Sequence, residues 1–297
     1  MATNFPGGVS VFGLPVLPGG VPPTSGKVFF VHSVTGSNGN SGATTEKPYA
    51  TIVKALEMCT ASKGDTIICL PGHTEAVIAA GTITVSKIGV RIVGLGTGRQ
   101  KPTITYTTAA AASVDVTAAS VLLQNMVFSG VGVDAVTAMV NVSAADVTIR
   151  ECEFETGNAT NQAVLGVLTT AAANRFTLEG CYFHGSADAG TATAVRIVGG
   201  ADIRVIDNVI IGNFTTSLGG VENVTTAMAG GLIAKNTIVN RTASSTKAIV
   251  LVSTSDVMVA DNRLLILSGT APITAAAGYV SHNYYAAAAG VTASALI

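Results

Sequence analysis

Apolar and polar positions along this chain follow one short pattern, apolar-x-apolar-x-x-(Asn/Cys)-x-apolar, which recurs seven times. Its sixth position falls on Met126, Cys152, Cys181, Asn208, Asn236, Asn262 and Asn283, in steps of 26, 29, 27, 28, 26 and 21 residues. Periods of this size mark arrays of repeated supersecondary units. The segments are Val121–Phe128, Val147–Phe154, Phe176–Phe183, Ile203–Ile210, Gly231–Ile238, Val257–Leu264 and Gly278–Tyr285. Positions one and three alternate as in a strand, and the two-residue gap before position six turns the chain so that six and eight face inward again. Each segment reads as two short strands joined at a corner. Such a coil stacks on the next at the strand spacing of about 4.8 Å, pairing parallel strands. Like side chains then stand over like. An inward Asn carries a donor and an acceptor and can bond the next Asn up the stack, whereas Cys and Met fill the first three places of that column as soft, apolar groups.

The start of the chain supplies a cover. Ile52, Ala55, Leu56 and Cys59 follow helical spacing behind Thr51 as N-cap, so a small amphipathic helix near residues 52–60 is expected to close the first coil. Strands TIICL, TITV, VRIVG and TITY between Asp65 and Thr107 form the first coils, and the glycines at Gly94, Gly96 and Gly98 read as a coil turn rather than a phosphate cradle.

The repeat and its amide column resemble the right-handed parallel β-helix of the pectate-lyase-like superfamily. The likeness extends over Val34 to Glu75, with Lys47-Pro48-Tyr49, the short helix, Gly64-Asp65-Thr66-Ile67 and Leu70-Pro71-Gly72, and covers about residues 27–285. The resemblance implies an all-β fold: a single-stranded right-handed parallel β-helix, a solenoid, with an N-terminal capping helix and an extended N-terminal arm. The expected organisation is an apolar Gly/Pro-rich arm at 1–26, the β-helix at 27–285 and an Ala-rich tail at 286–297. This fold serves many functions, so the resemblance alone assigns none.

Composition changes the picture at the surface. Charged residues make up 11% of the 297 residues, and mean hydropathy is +0.53. That charge content is less than half the usual ~25%. Ser, Thr, Asn and Gly interrupt every apolar stretch before membrane-spanning length, and no basic leader pattern opens the sequence. A net charge of -1 gives no support for nucleic-acid binding. The apolar excess falls instead on positions expected to face outward: Leu122, Val127, Ile206, Val209, Leu232 and Met258. A recurring apolar set along a long body marks a contact surface, expected here to join subunits.

The arm has no charge before Lys27, carries five prolines from Pro6 to Pro23 and interleaves Val9, Val11, Phe12, Leu14, Val16 and Leu17. Proline at this density favours extended chain. Physics alone permits such an arm to pack on its own β-helix or on another subunit. A Gly/Pro-rich apolar arm leading into a small β-helix resembles bacteriophage virion proteins, especially head decoration or cement proteins. That resemblance implies a homotrimer on the capsid surface, synthesised in the host cytoplasm and attached through the arm to the major capsid protein or another virion protein.

Catalysis is weighed at position five, which presents Glu151, Asp207, Lys235 and Asp261. Asp207 and Asp261 lie two steps apart, about 9–10 Å, near the carboxylate separation of inverting glycosidases. With Lys235 between them the column reads as charge alternation, and Arg150 with Glu179 as another compensated pair. No acidic cluster for calcium stands out, and His32, His73, His184 and His282 are dispersed as surface or turn residues without metal-ligand spacing. Trp is absent and aromatics total 5%, so aromatic sugar platforms are scarce. No cofactor, metal, membrane or nucleic-acid partner is expected, and Cys59, Cys69, Cys152 and Cys181 read as buried free thiols. The expectation is a structural virion protein, a trimeric cement or decoration protein without enzymatic activity. The alternative is a phage tail spike or secreted β-helical enzyme that binds or cleaves polysaccharide, with Asp207, Asp261 and Glu151 as its candidate carboxylates.

Overall fold

A computed structural model describes residues 26–158, 160–185, 191–214, 219–243, 245–252, 254, 256–268, 271–275 and 278–286, and the backbone alone of residues 10–11, 14–15, 190, 255, 287 and 295–296. The chain winds as a right-handed parallel β-solenoid whose coils each contribute to three sheets. The first sheet runs Val28–Val31, Thr66–Cys69, Arg91–Gly94, Leu122–Gln124, Thr148–Arg150, Thr177–Glu179, Gly200–Ile206, Met228–Ala234, Val257–Ala260 and Gly278–Ser281. The second runs Thr74–Val77, Thr103–Tyr106, Val127–Ser129, Glu153–Gly157, Tyr182–Gly185, Val209–Phe214, Thr237–Asn240, Arg263–Ile266 and Tyr284–Ala287. The third runs Ile83–Val85, Val114–Val116, Val140–Val142, Leu165–Thr169, Thr193–Ile197, Val221–Asn223, Ile249–Leu251 and Ile273–Ala275. The repeating pattern marked only the corner between the first and second sheets. The third sheet, whose strands lie between loops of varying length, is an addition to the two-strand reading.

That corner turns on position five. Asn125, Glu151, Asp207, Lys235, Asp261 and His282 all adopt the left-handed region, with φ between 54° and 58°. Asn, Asp and His are enriched in this conformation, while Glu and Lys bear a steric cost of roughly 1 kcal/mol. A second left-handed corner, between the third and first sheets, falls on Ser120, Asp146, Arg175, Asp202 and Asp256.

Position six points into the core behind this corner. Asn208 Nδ2 donates to Asn236 Oδ1 (2.9 Å), Asn236 Nδ2 to Asn262 Oδ1 (2.9 Å) and Asn262 Nδ2 to Asn283 Oδ1 (2.8 Å). Each amide also donates to a backbone carbonyl one coil back: Asn208 to Leu178, Asn236 to Val205, Asn262 to Ile233 and Asn283 to Val259. Cys152 and Cys181 occupy the same column and make long thiol contacts with the carbonyls of Leu123 (3.8 Å) and Ile149 (3.7 Å). The thiols therefore act as weak donors in the place of the amide rather than as apolar filler. All four cysteines are free and buried, and burial pushes the Cys59 thiol up to about 12. At position eight, Phe128, Phe154 and Phe183 stack with ring centroids 4.9 and 4.3 Å apart.

The helix Ile52–Met58 covers the first coil, with Ile52, Ala55 and Leu56 buried. Thr51 caps it by accepting from Lys54 N–H (3.1 Å), and Ile52 N–H donates to Glu75 Oε2 (2.6 Å). Glu75 shares the inward register of Ile104 and Phe128. His73 is fully buried, with Nε2 3.3 Å from that same oxygen. Its expected surface or turn position is thus corrected: the inward Glu75 gives the ring a polar partner inside the core.

Candidate functional site

Outward positions seven and nine of the second sheet converge on one polar surface. The strands Glu153–Gly157 and Tyr182–Gly185 pair in the register Glu153 with Tyr182 and Glu155 with His184. Val127 and Ser129 lie beside Glu153 and Glu155 on the preceding coil. His184 Nε2 lies 2.9 Å from Glu153 Oε1, and Ser129 Oγ donates to Glu155 Oε2 (2.6 Å). The ring of Tyr182 stacks on His184 at 4.9 Å and is 43% exposed. Residues two apart on a strand stand about 6.6 Å apart, within the ~5–9.5 Å range of carboxylate pairs in glycoside-cleaving enzymes. A carboxylate-oriented imidazole can move a proton, the second carboxylate can stabilise charge or activate water, and the aromatic ring can hold an apolar sugar face. Among the described residues no cluster of three or more His, Cys, Asp or Glu is arranged to hold a metal ion.

The candidate carboxylates at position five do not form such a group. Glu151, Asp207 and Asp261 are exposed at the left-handed corner. Glu151 Oε2 accepts from Gln124 Nε2 (2.7 Å), while no ion pair among the described residues joins Asp207 or Asp261 to Lys235. Arg150 Nη2 donates to Gln124 Oε1 (2.9 Å), one coil back, where Glu179 was the expected partner. The signal for Glu153, Glu155 and His184 was present in the sequence: Glu155 and His184 are separated by 29 residues, the same step as Cys152 to Cys181.

Of the expected interface residues, Val209 (37%) and Met258 (47%) are exposed, and Leu122, Val127, Ile206 and Leu232 are half-buried. Leu232, Met258 and Tyr279 stand in register on the outside of the first sheet. On the outside of the second sheet, a shallow apolar groove of about 270 Å3 includes Val239, Leu265, Tyr284 and Ala286. Val9, Phe12, Val16 and Leu17 lie outside the described residues. Only the backbone of Val11 and Leu14 is described, paired antiparallel.

A separate ion pair joins Arg196 Nε to Glu222 Oε1 on the outside of the third sheet. Glu222 is fully buried, and its Oε2 has no hydrogen-bond partner among the described residues. Burial pushes its carboxyl above the usual range, with Arg196 opposing the shift.

No family model matches this chain, and no curated protein matches it. Solved structures do. Pectate lyase Pel9A is similar over 91% of this chain and 78% of its own, with a TM-score of 0.52 at 12% identity. A rhamnogalacturonan lyase is similar over 87% of each chain, with a TM-score of 0.48 at 13% identity. Geobacillus virus E2 ORF18 is similar over 80% of this chain and 57% of its own, with a TM-score of 0.26 at 12% identity. The chain therefore shares the parallel β-helix fold of a pectate lyase. This corrects the expectation that it is without enzymatic activity. The fold is one that a pectate lyase also has, and the exclusion, which rested on position five, aromatic scarcity, the missing calcium cluster and dispersed histidines, read His184 singly and not beside Glu153.

Proposed function

We propose that the chain is a virion protein of a bacteriophage, a homotrimer that stands on the capsid surface with its β-helices side by side. The observation that carries this reading is the apolar ladder on the outside of the first sheet, where Leu232 is half-buried and the aligned Met258 and Tyr279 are 47% and 64% exposed. Large apolar side chains aligned coil after coil lose water together when a neighbouring copy covers them. Light scattering after size exclusion is expected to give three chains, and Met258→Glu with Tyr279→Glu is expected to give one. A wild-type monomer at micromolar concentration would remove the basis for the trimer. Quantifying the chain in purified particles tests the virion assignment, with hundreds of copies expected for a decoration protein.

A second reading rests on a different observation, the Glu153–His184 pair beside Glu155 and Tyr182. That face fits a protein that binds or cleaves polysaccharide, as a tail spike or secreted enzyme does. Saccharide release from host-surface polysaccharide, abolished by Glu153→Gln and by His184→Asn, is the outcome this reading requires. Wild-type protein that neither binds nor cleaves such polysaccharide would set it aside.

A further inference from the structure

The outside of the second sheet changes in kind along its length. Below the Glu153–His184 pair it carries hydroxyls: Thr103 stands beside Val127, and Thr105 beside Ser129, which in turn neighbours Glu155. Above the pair it turns apolar, with Val209 beside Tyr182 and Ile211 beside His184. The exposed ring of Tyr182 lies where the two stretches meet. A sugar ring has an apolar side and a rim of hydroxyls, and this sequence of surfaces offers a contact to each.

Charge on this surface is one-sided. Glu153 and Glu155, two residues apart on one strand, share the outward face. Going up the two outward columns, the first Lys or Arg among the described residues is Arg263, three coils above Tyr182 and thus about 14 Å away. At the corner next to Glu153 the exposed Glu151 adds a third carboxylate, and Lys101 there donates through Nζ to the Glu151 backbone carbonyl (3.2 Å). Even with His184 protonated, one positive charge faces Glu153 and Glu155 together. A carboxylate accepts hydrogen bonds and donates none. A sugar hydroxyl can therefore donate to these oxygens, whereas the carboxylate of an acidic sugar meets like charge at close range.

Resting on the polysaccharide reading of this face, we propose that it selects glycans without acid groups. A sugar hydroxyl donates to Glu155, whose other bond, from Ser129 Oγ, holds the carboxylate in place (2.6 Å). The apolar side of a sugar ring lies on Tyr182, which is itself steadied by stacking on His184. Glu153 and Glu155 refuse uronate-bearing chains by repulsion.

Binding of the full-length chain to an array of uncharged and uronate-bearing oligosaccharides, read at low and at high salt, tests this. At low salt the uncharged members are expected to bind at least about tenfold more tightly than uronate-bearing members of the same length. Raising the salt should narrow that gap by screening the carboxylates. Glu155→Gln keeps an acceptor for Ser129 and removes the charge, so it should narrow the gap at low salt too. Equal or tighter binding of the uronate-bearing members by the wild type would overturn the proposal and leave the polysaccharide reading standing. A gap that neither salt nor Glu155→Gln alters would also overturn it, because shape rather than charge would then set the selection. Binding to no member of the array would remove that reading and the proposal with it.

Discussion

The two ends of the core meet the same backbone requirement with different chemistry. From Met126 to Cys181 the interior is a thioether and two thiols beside stacked rings, and from Asn208 to Asn283 it is an amide ladder beside Ile210, Ile238 and Leu264. In both regions the position-six side chain from Cys152 onward is directed at a position-three carbonyl, one coil back. The amide does a second thing that the thiol does not. Asn208 Oδ1 accepts from Cys181 N–H (2.9 Å), and Asn236 and Asn262 Oδ1 likewise accept from Asn208 and Asn236 N–H (3.0 Å each). An amide thus closes both polar groups left open by the corner, whereas a thiol closes one of them weakly. Register in the downstream coils is held by hydrogen bonds, and in the upstream coils by ring packing.

Removing the central ring is expected to be the most damaging single change. Phe154 lies between Phe128 and Phe183, so Phe154→Ala should cost about 3–5 kcal/mol in chemical denaturation, from lost burial and the cavity that remains. Asn236→Leu attacks the other region without removing volume. It leaves Asn208 N–H and the Val205 carbonyl without their partner, at about 2–4 kcal/mol in total. A negligible loss there would mean that packing holds both regions.

Two ion pairs extend the comparison to pH. The folded carboxyl of Glu222 is raised by burial, so its contribution to stability is fully present below the ordinary glutamate range and is lost as pH rises through the raised value. Asp146 is lowered by its bond to Arg175, so its contribution is present above the ordinary aspartate range and is lost as pH falls through the lowered value. Glu222→Gln should therefore remove a stability loss on the alkaline side of that range, and Asp146→Asn a loss on its acid side. Denaturation midpoints across acid to neutral pH report both slopes, and slopes of equal sign would contradict the assignment. The smallest effect is expected at the corner itself. Glu151→Gly and Lys235→Gly relieve the same left-handed backbone, so each should change stability by less than about 1 kcal/mol, in the same direction. Opposite signs would show that the two regions differ in backbone as well as in side chains.

The amide column and the capping helix were legible because periodicity and capping are local signals: Asn208 to Asn283 recur in step, and Thr51 precedes an apolar face. The left-handed corner was only half legible. Asn125, Gly180, Asp207, Asp261 and His282 suit positive φ, but Glu151 and Lys235 in the same place have no such preference, and tertiary context imposes it on them. The third sheet was obscured by loops that shift its strands relative to the repeat. His73 was misplaced because it and Glu75 are buried there only by virtue of each other and of the helix end above them. The Glu153–His184 face depends on outward positions on adjacent coils, and it emerges once position nine is followed as closely as position six.

A reciprocal exchange within the inner column tests the two-region account most directly. Chemical denaturation of Asn208→Cys should show a loss of about 1–3 kcal/mol, because Cys181 N–H loses its acceptor and the Leu178 carbonyl keeps only a weak donor. Cys181→Asn should be neutral or stabilising, because the new amide can donate to the Ile149 carbonyl and to Asn208 Oδ1 while extending the ladder by one coil. Equal losses in both variants, or no loss in Asn208→Cys, would contradict the claim that the amide closes two backbone groups where the thiol closes one.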